Sequence, residues 1–267
     1  MTNSKKILIT GAESHLGQGT ALGLAALGHK VIAGVQASSK TAELRKRAQE
    51  LGITGNLLVE KLDIISNTDL NYAMEWDIDI LVINTEAAQT APVFEVPLEL
   101  VRANFEINVI APLRLSQKFI SKWIKQGKKG KIIFISPLSS RMLTSKETGI
   151  YSSTRHAAES IAEVLKDELK PHGIKIQTIN TGLSQTAINA NGLGHDFEKK
   201  TFLTNQSRTD SGSLNSSFFD ANFDPQEIIE NIIDIVPQQH GRFRNIVPAY
   251  VKDLLKEHQI YAWNEFM

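Results

Sequence analysis

Short β-branched apolar runs alternate along this chain with longer amphipathic stretches. Residues 7–10, 31–35, 57–62, 80–84, 131–136 and 175–180 read as strands. Runs that are apolar on both faces and separated by helical pattern call for a parallel sheet covered on both sides, with right-handed crossovers. The pattern therefore predicts one α/β domain over residues 1–267, built on a doubly wound parallel sheet. Ligands of such sheets bind beyond the carboxyl ends of the strands.

The intervening helices carry their own stop signals. The first covers residues 17–27 and ends at Gly28, whose missing Cβ suits a left-handed cap. A long stretch over 98–126 gives way to Gly127-Lys128-Lys129-Gly130, and another over 151–170 is closed by Pro171 and Gly173. Asp224-Pro225 offers an N-cap with proline at the first helical position, and the helix runs to about 235. Between them, 183–223 dissolves into Ser, Asn, Thr and Gly with scattered Phe, the pattern of a flap over a pocket or of a plain surface loop.

Composition narrows the partners. With 42% apolar and 22% charged residues the chain has enough apolar surface for a core, so disorder is excluded. Lys plus Arg and Asp plus Glu each number 29, so no global field favours nucleic acid or an anionic membrane; a small-molecule ligand is the expected partner. The absence of cysteine removes disulfides, thiolate chemistry and cysteine metal sites, and no metal site is expected. The N-terminus enters apolar structure at Ile7 without a signal-type segment, and no apolar run approaches the roughly 20 residues of a membrane span. A cytoplasmic protein is expected.

After the first strand comes Thr10-Gly11-Ala12-Glu13-Ser14-His15-Leu16-Gly17, then helix. This resembles the TGxxxGxG turn of the short-chain dehydrogenase/reductase superfamily. The resemblance continues in chain order through Asp63, Asn84, Asn108, Ser136 to Ser140, Tyr151, Gly182 and Thr186, and so covers nearly the whole length. It implies a Rossmann-like fold and an oxidoreductase that uses NADP or NAD. Thr10, Gly11, His15, Leu16, Gly17, Asp63, Asn84, Gly182 and Thr186 would line the cofactor. Tyr151 would be the acid/base, and Asn108 would interrupt its helix to hold a water. By the same resemblance the helices around Asn108 and Tyr151 build homo-oligomer contacts.

Departures from the family pattern bear on mechanism. His15 stands where the family has its middle glycine, so its imidazole threatens the phosphate site, greets a phosphate, or plugs space beside the sheet. The second strand ends at Ala33-Gly34-Val35-Gln36 with neither the acid usual for NAD nor the base usual for NADP. With no acid to repel a 2′-phosphate, and Lys40 within swing, the reading leans to NADP. Asn-Asn-Ala-Gly is here Ile83-Asn84-Thr85-Glu86, which places a carboxylate close to the cofactor.

YxxxK becomes Tyr151-Ser152-Ser153-Thr154-Arg155, with the guanidinium one turn on and on the same helical face. A cation about 4 Å from the phenol is worth up to ~4 kcal/mol at an effective dielectric of about 20. That is enough to lower a tyrosine's pKa by roughly three. Arginine cannot surrender a proton, so a lysine-type relay has to be rerouted. The family serine aligns with Pro137 or Leu138, and strand alternation makes Ser139 the substitute over Ser136 and Ser140.

Three functions remain open. One is an NAD(P)(H)-dependent oxidoreductase of a carbonyl/alcohol pair with Tyr151 as general acid/base. Another is a cofactor-free enzyme similar to halohydrin dehalogenases, which use Ser, Tyr and Arg and carry a bulky aromatic at the middle-glycine position. The third is a non-catalytic binding member of the superfamily.

Overall fold

A computed structural model describes residues 4–88, 91–137, 148–182, 224–253 and 256. Seven parallel strands form one sheet: β1 Lys6–Ile9, β2 Lys30–Val35, β3 Leu57–Lys61, β4 Ile80–Ile83, β5 Lys131–Pro137, β6 Lys175–Thr181 and β7 Arg244–Val247, in the order β3-β2-β1-β4-β5-β6-β7. The order reverses between β1 and β4, whose residues pair from Ile7↔Ile80 to Ile9↔Val82, so the crevice for a ligand opens at their carboxyl ends.

Strand parity divides the core. Ile7 and Ile9 face one layer with α1 (His15–Ala26), α2 (Thr41–Glu50) and the helix Pro225–Ile235; Leu8 faces the other, with α3 (Asn67–Ala73) and the Leu115, Phe119 and Trp123 face of α5 (Ala111–Gln126). Both faces are covered, which explains why these strands are apolar without alternation.

Three details differ from the sequence reading. α1 starts two residues early, because the Ser14 hydroxyl accepts from the Gly17 amide and caps the helix ahead of His15. The long helix expected over 98–126 is α4 (Leu98–Phe105), a π turn (Glu106–Ile110) and α5. The seventh strand has no expectation behind it: Arg-Asn-Ile-Val is a short, half-buried edge with a weak apolar signal. α6 spans Gly149–Glu168 and the Asp224-capped helix, α7, spans Pro225–Ile235 as its cap foretold, with Asp224 Oδ1 accepting from Gln226 N at 2.9 Å. The expected flap over 183–223 lies outside the described residues.

Candidate active site

The turn after β1 is held from three sides. Thr10 is fully buried, and its hydroxyl accepts from the amides of Asn84 and Thr85 at 3.1 and 3.2 Å. Gly11 turns through φ +62°, and the Ala12 amide donates to the Gly34 carbonyl at 3.0 Å. The Asn84 side chain donates to the Gly11 carbonyl and to the Ser14 hydroxyl, each at 2.9 Å. At Gly17 a Cβ would run into the Gly11 carbonyl oxygen and Asn84 Nδ2, so the helix start packs directly on the turn, the close approach that the last glycine of such a turn permits.

His15 corrects one expectation. It is the first residue of α1 and is exposed, so its ring does not plug a space beside the sheet; the residue that packs into the core there is Leu16. A helix N-terminus flanked by a tight glycine turn fits the pyrophosphate of a dinucleotide. Asp63, half-buried after β3, accepts from the Ile65 amide at 3.2 Å and donates its own amide to Asp69 Oδ2 at 2.8 Å. Gly182 donates to the Val247 carbonyl at 2.7 Å and ties the end of β6 to β7.

At the end of β2 an acid does stand, supplied from another element. Glu13, on the glycine turn, accepts the Gln36 amide through Oε1 at 3.3 Å, while its Oε2 is buried with no hydrogen-bond partner among the described residues. Lys40 sits exposed in a short turn over Ser38–Lys40. Sequence reasoning missed Glu13 because it sought the acid only on the strand.

The other end of the crevice is built on the π turn. Asn108, 1% exposed, sits inside it and grips Ala87: its Oδ1 accepts from the Ala87 amide and its Nδ2 donates to the Ala87 carbonyl, both at 2.8 Å. Nδ2 also donates to the Thr154 hydroxyl at 3.0 Å, which donates to the Tyr151 carbonyl at 2.6 Å. One amide thus ties the loop after β4 to α6, a use of the extra helical residue typical of π turns at working sites.

That tie brings three charged or ionisable groups together. The Tyr151 hydroxyl donates to Glu86 Oε2 at 3.0 Å, and Arg155 Nη2 lies 3.7 Å from the same oxygen. Arg155 is buried, and Nη2 also donates to the Ile135 carbonyl at 2.9 Å. A small cleft beside them is lined by Thr85, Asn108, Ser136, Arg155 and Glu159. Tyr151, Arg155, Asn108 and Asn84 therefore share one site, with the glycine turn adjoining it. Ser139 and Thr186 lie outside the described residues; Ser136 is buried at the end of β5 and Pro137 closes that strand. Glu86 was visible as a departure, but nothing in the sequence announced its bond to Tyr151.

Residues 5–194 match the family described as short chain dehydrogenase. The chain belongs to the short-chain dehydrogenase family. Among relatives of the family, human L-xylulose reductase is 28% identical over 74% of this chain and 80% of its own length. D-erythrulose reductase of Gallus gallus is 28% identical over 68% of this chain and 72% of its own. A short-chain dehydrogenase structure from Streptomyces avermitilis superimposes with a TM-score of 0.75 at 21% identity, covering 98% of this chain and 95% of that one, which shows a shared fold. Among the described residues of this family member, no helix is long and apolar enough to cross a membrane.

Proposed function

We propose that this chain is an NAD(P)(H)-dependent oxidoreductase of a carbonyl/alcohol pair, with Tyr151 as general acid/base. The observation that carries the reading is the Tyr151 hydroxyl held at the crevice beside an ionisable partner, with the Gly11 turn tied down by Asn84 next to it. When bound, the nicotinamide supplies or accepts hydride. Tyr151 handles the proton of the substrate oxygen, and Asn108 and Thr154 hold the two walls of the site in place. Thr10, Gly11, Leu16, Gly17, Asn84, Asp63, Gly182 and Thr186 form the proposed cofactor wall, with Ser139 the proposed substrate hydroxyl.

The names of two relatives point to small polyhydroxy ketones as substrates. The Glu13 carboxylate at Gln36 reverses the earlier lean: a 2′-phosphate there would meet a like charge, so NADH is the preferred partner. Assembly of copies through α5 and α6 belongs to the same reading, with Ile124 and Val164 exposed by 41% and 53%. A dehalogenase is disfavoured because a halide leaving toward the loop after β4 would meet the Glu86 carboxylate.

The test is oxidation of NADH with L-xylulose, D-erythrulose and a panel of small ketones, by the unaltered chain and by Tyr151→Phe. Turnover lost by about 100-fold or more in the variant is expected. Equal rates for the two proteins would remove Tyr151 from the chemistry.

A further inference from the structure

The described residues around Tyr151 offer few places for its proton to go. Arg155 carries donors only and has no lone pair to accept a proton. Both atoms of the Asn108 amide are bound to Ala87, and the Thr154 hydroxyl is committed to the Tyr151 carbonyl. Glu86 is different: its Oε2 accepts the phenol at 3.0 Å, and its side chain is 20% exposed, so it meets both the phenol and solvent.

We propose that Glu86 is the proton partner of Tyr151, taking the phenol's proton when an alcohol is oxidised and returning it when a carbonyl is reduced. The proposal rests on the oxidoreductase reading above and assigns a role to a residue that reading leaves idle. In oxidation a bound oxidised dinucleotide would take the electron pair of the breaking substrate C–H bond as hydride. The substrate O–H proton passes to the phenol oxygen while the phenol's own proton passes to Glu86. One ketone, one reduced dinucleotide and one carboxylic acid result, and the acid gives its proton to water. Reduction runs the same steps backward, with Glu86 entering as the acid.

Charge balance explains why this relay comes with an arginine. A tyrosinate formed 3.0 Å from a carboxylate would set two like charges side by side, and passing the proton through the phenol avoids that state. Arg155, 3.7 Å from the carboxylate, is its counter-charge. Glu159, one turn further along α6, lines the same cleft, where Asn180 donates to it at 2.6 Å and Arg244 Nε lies 3.6 Å away. Asn108 acts through Ala87 as a positioning residue for Glu86.

Two measurements test the relay. The first needs neither substrate nor cofactor: the ultraviolet titration of Tyr151, taken as the difference between a protein and its Tyr151→Phe counterpart, with and without Glu86→Gln. Removal of the carboxylate is expected to bring phenolate formation about one pH unit lower or more; an unmoved titration overturns the proposal. The second is the pH profile of ketone reduction. Glu86→Gln is expected to lose about 100-fold in kcat together with one ionisation of the profile, and Glu86→Ala to recover part of its rate when formate is added. A profile of unchanged shape in Glu86→Gln, or no formate rescue, also overturns it. Failure of the unaltered chain to bind any dinucleotide would instead sink the oxidoreductase reading, and the titration would still report whether the two groups share a proton.

Discussion

The two ends of the crevice treat the family pattern differently. At the phosphate end Gly11 and Gly17 stay, because one needs φ +62° and the other has a carbonyl where its Cβ would go, and the departure falls on the exposed His15 between them. At the reaction end a glycine has become Glu86 and a lysine has become Arg155, and the two new side chains lie 3.7 Å apart. The lesson is that backbone crowding fixes residue type one position at a time, whereas a buried charge is fixed by its partner. Two departures that look independent in the sequence are neighbours in space.

The strongest way to break that comparison is to separate the pair. Arg155→Met leaves the Glu86 carboxylate without its counter-charge in a mostly buried site, and should cost about 3 kcal/mol of stability in chemical denaturation. The double variant with Glu86→Gln should recover much of the loss; additive costs would mean that the two substitutions are unrelated. Gly17→Ala tests the other end. Its Cβ meets backbone that cannot easily yield, so a loss of about 2 kcal/mol is expected, with weakened dinucleotide binding.

How far the sequence reached follows the same division. Strand positions and the two-faced burial of the sheet were legible because apolar periodicity reports burial directly, as Ile7, Leu8 and Ile9 show. The glycine turn was legible because its constraint is local. The bond between Glu86 and Tyr151 was not, since it joins residues 65 positions apart and depends on how Asn108 sets the intervening loop. Glu13 was missed for a similar reason: the acid at the end of β2 arrives from a different strand's turn. Of the three readings of His15, periodicity could not remove the one in which its ring plugs space beside the sheet; exposure does.

A smaller effect lies away from both ends and serves as a control on stability measurements. Hydrogen bonds from Lys128 and then Lys6 hold the Asp77 carboxyl down at about 2, below its ordinary 3.8. The unfolded chain therefore binds the proton more readily, so this contribution is present above about 3.8 and is lost as the pH falls toward 2. Asp77 is 57% exposed, so screening keeps the effect under about 1 kcal/mol, and Asp77→Asn should abolish it without altering dinucleotide binding.

The most direct test of the account is a calorimetric titration of the purified chain and of His15→Gly with NADH and NADPH. Saturable binding to the unaltered chain, tighter for NADH and changed less than about threefold by the substitution, is the predicted result. Binding that appears only after His15 is removed, or no binding to either protein, would contradict it.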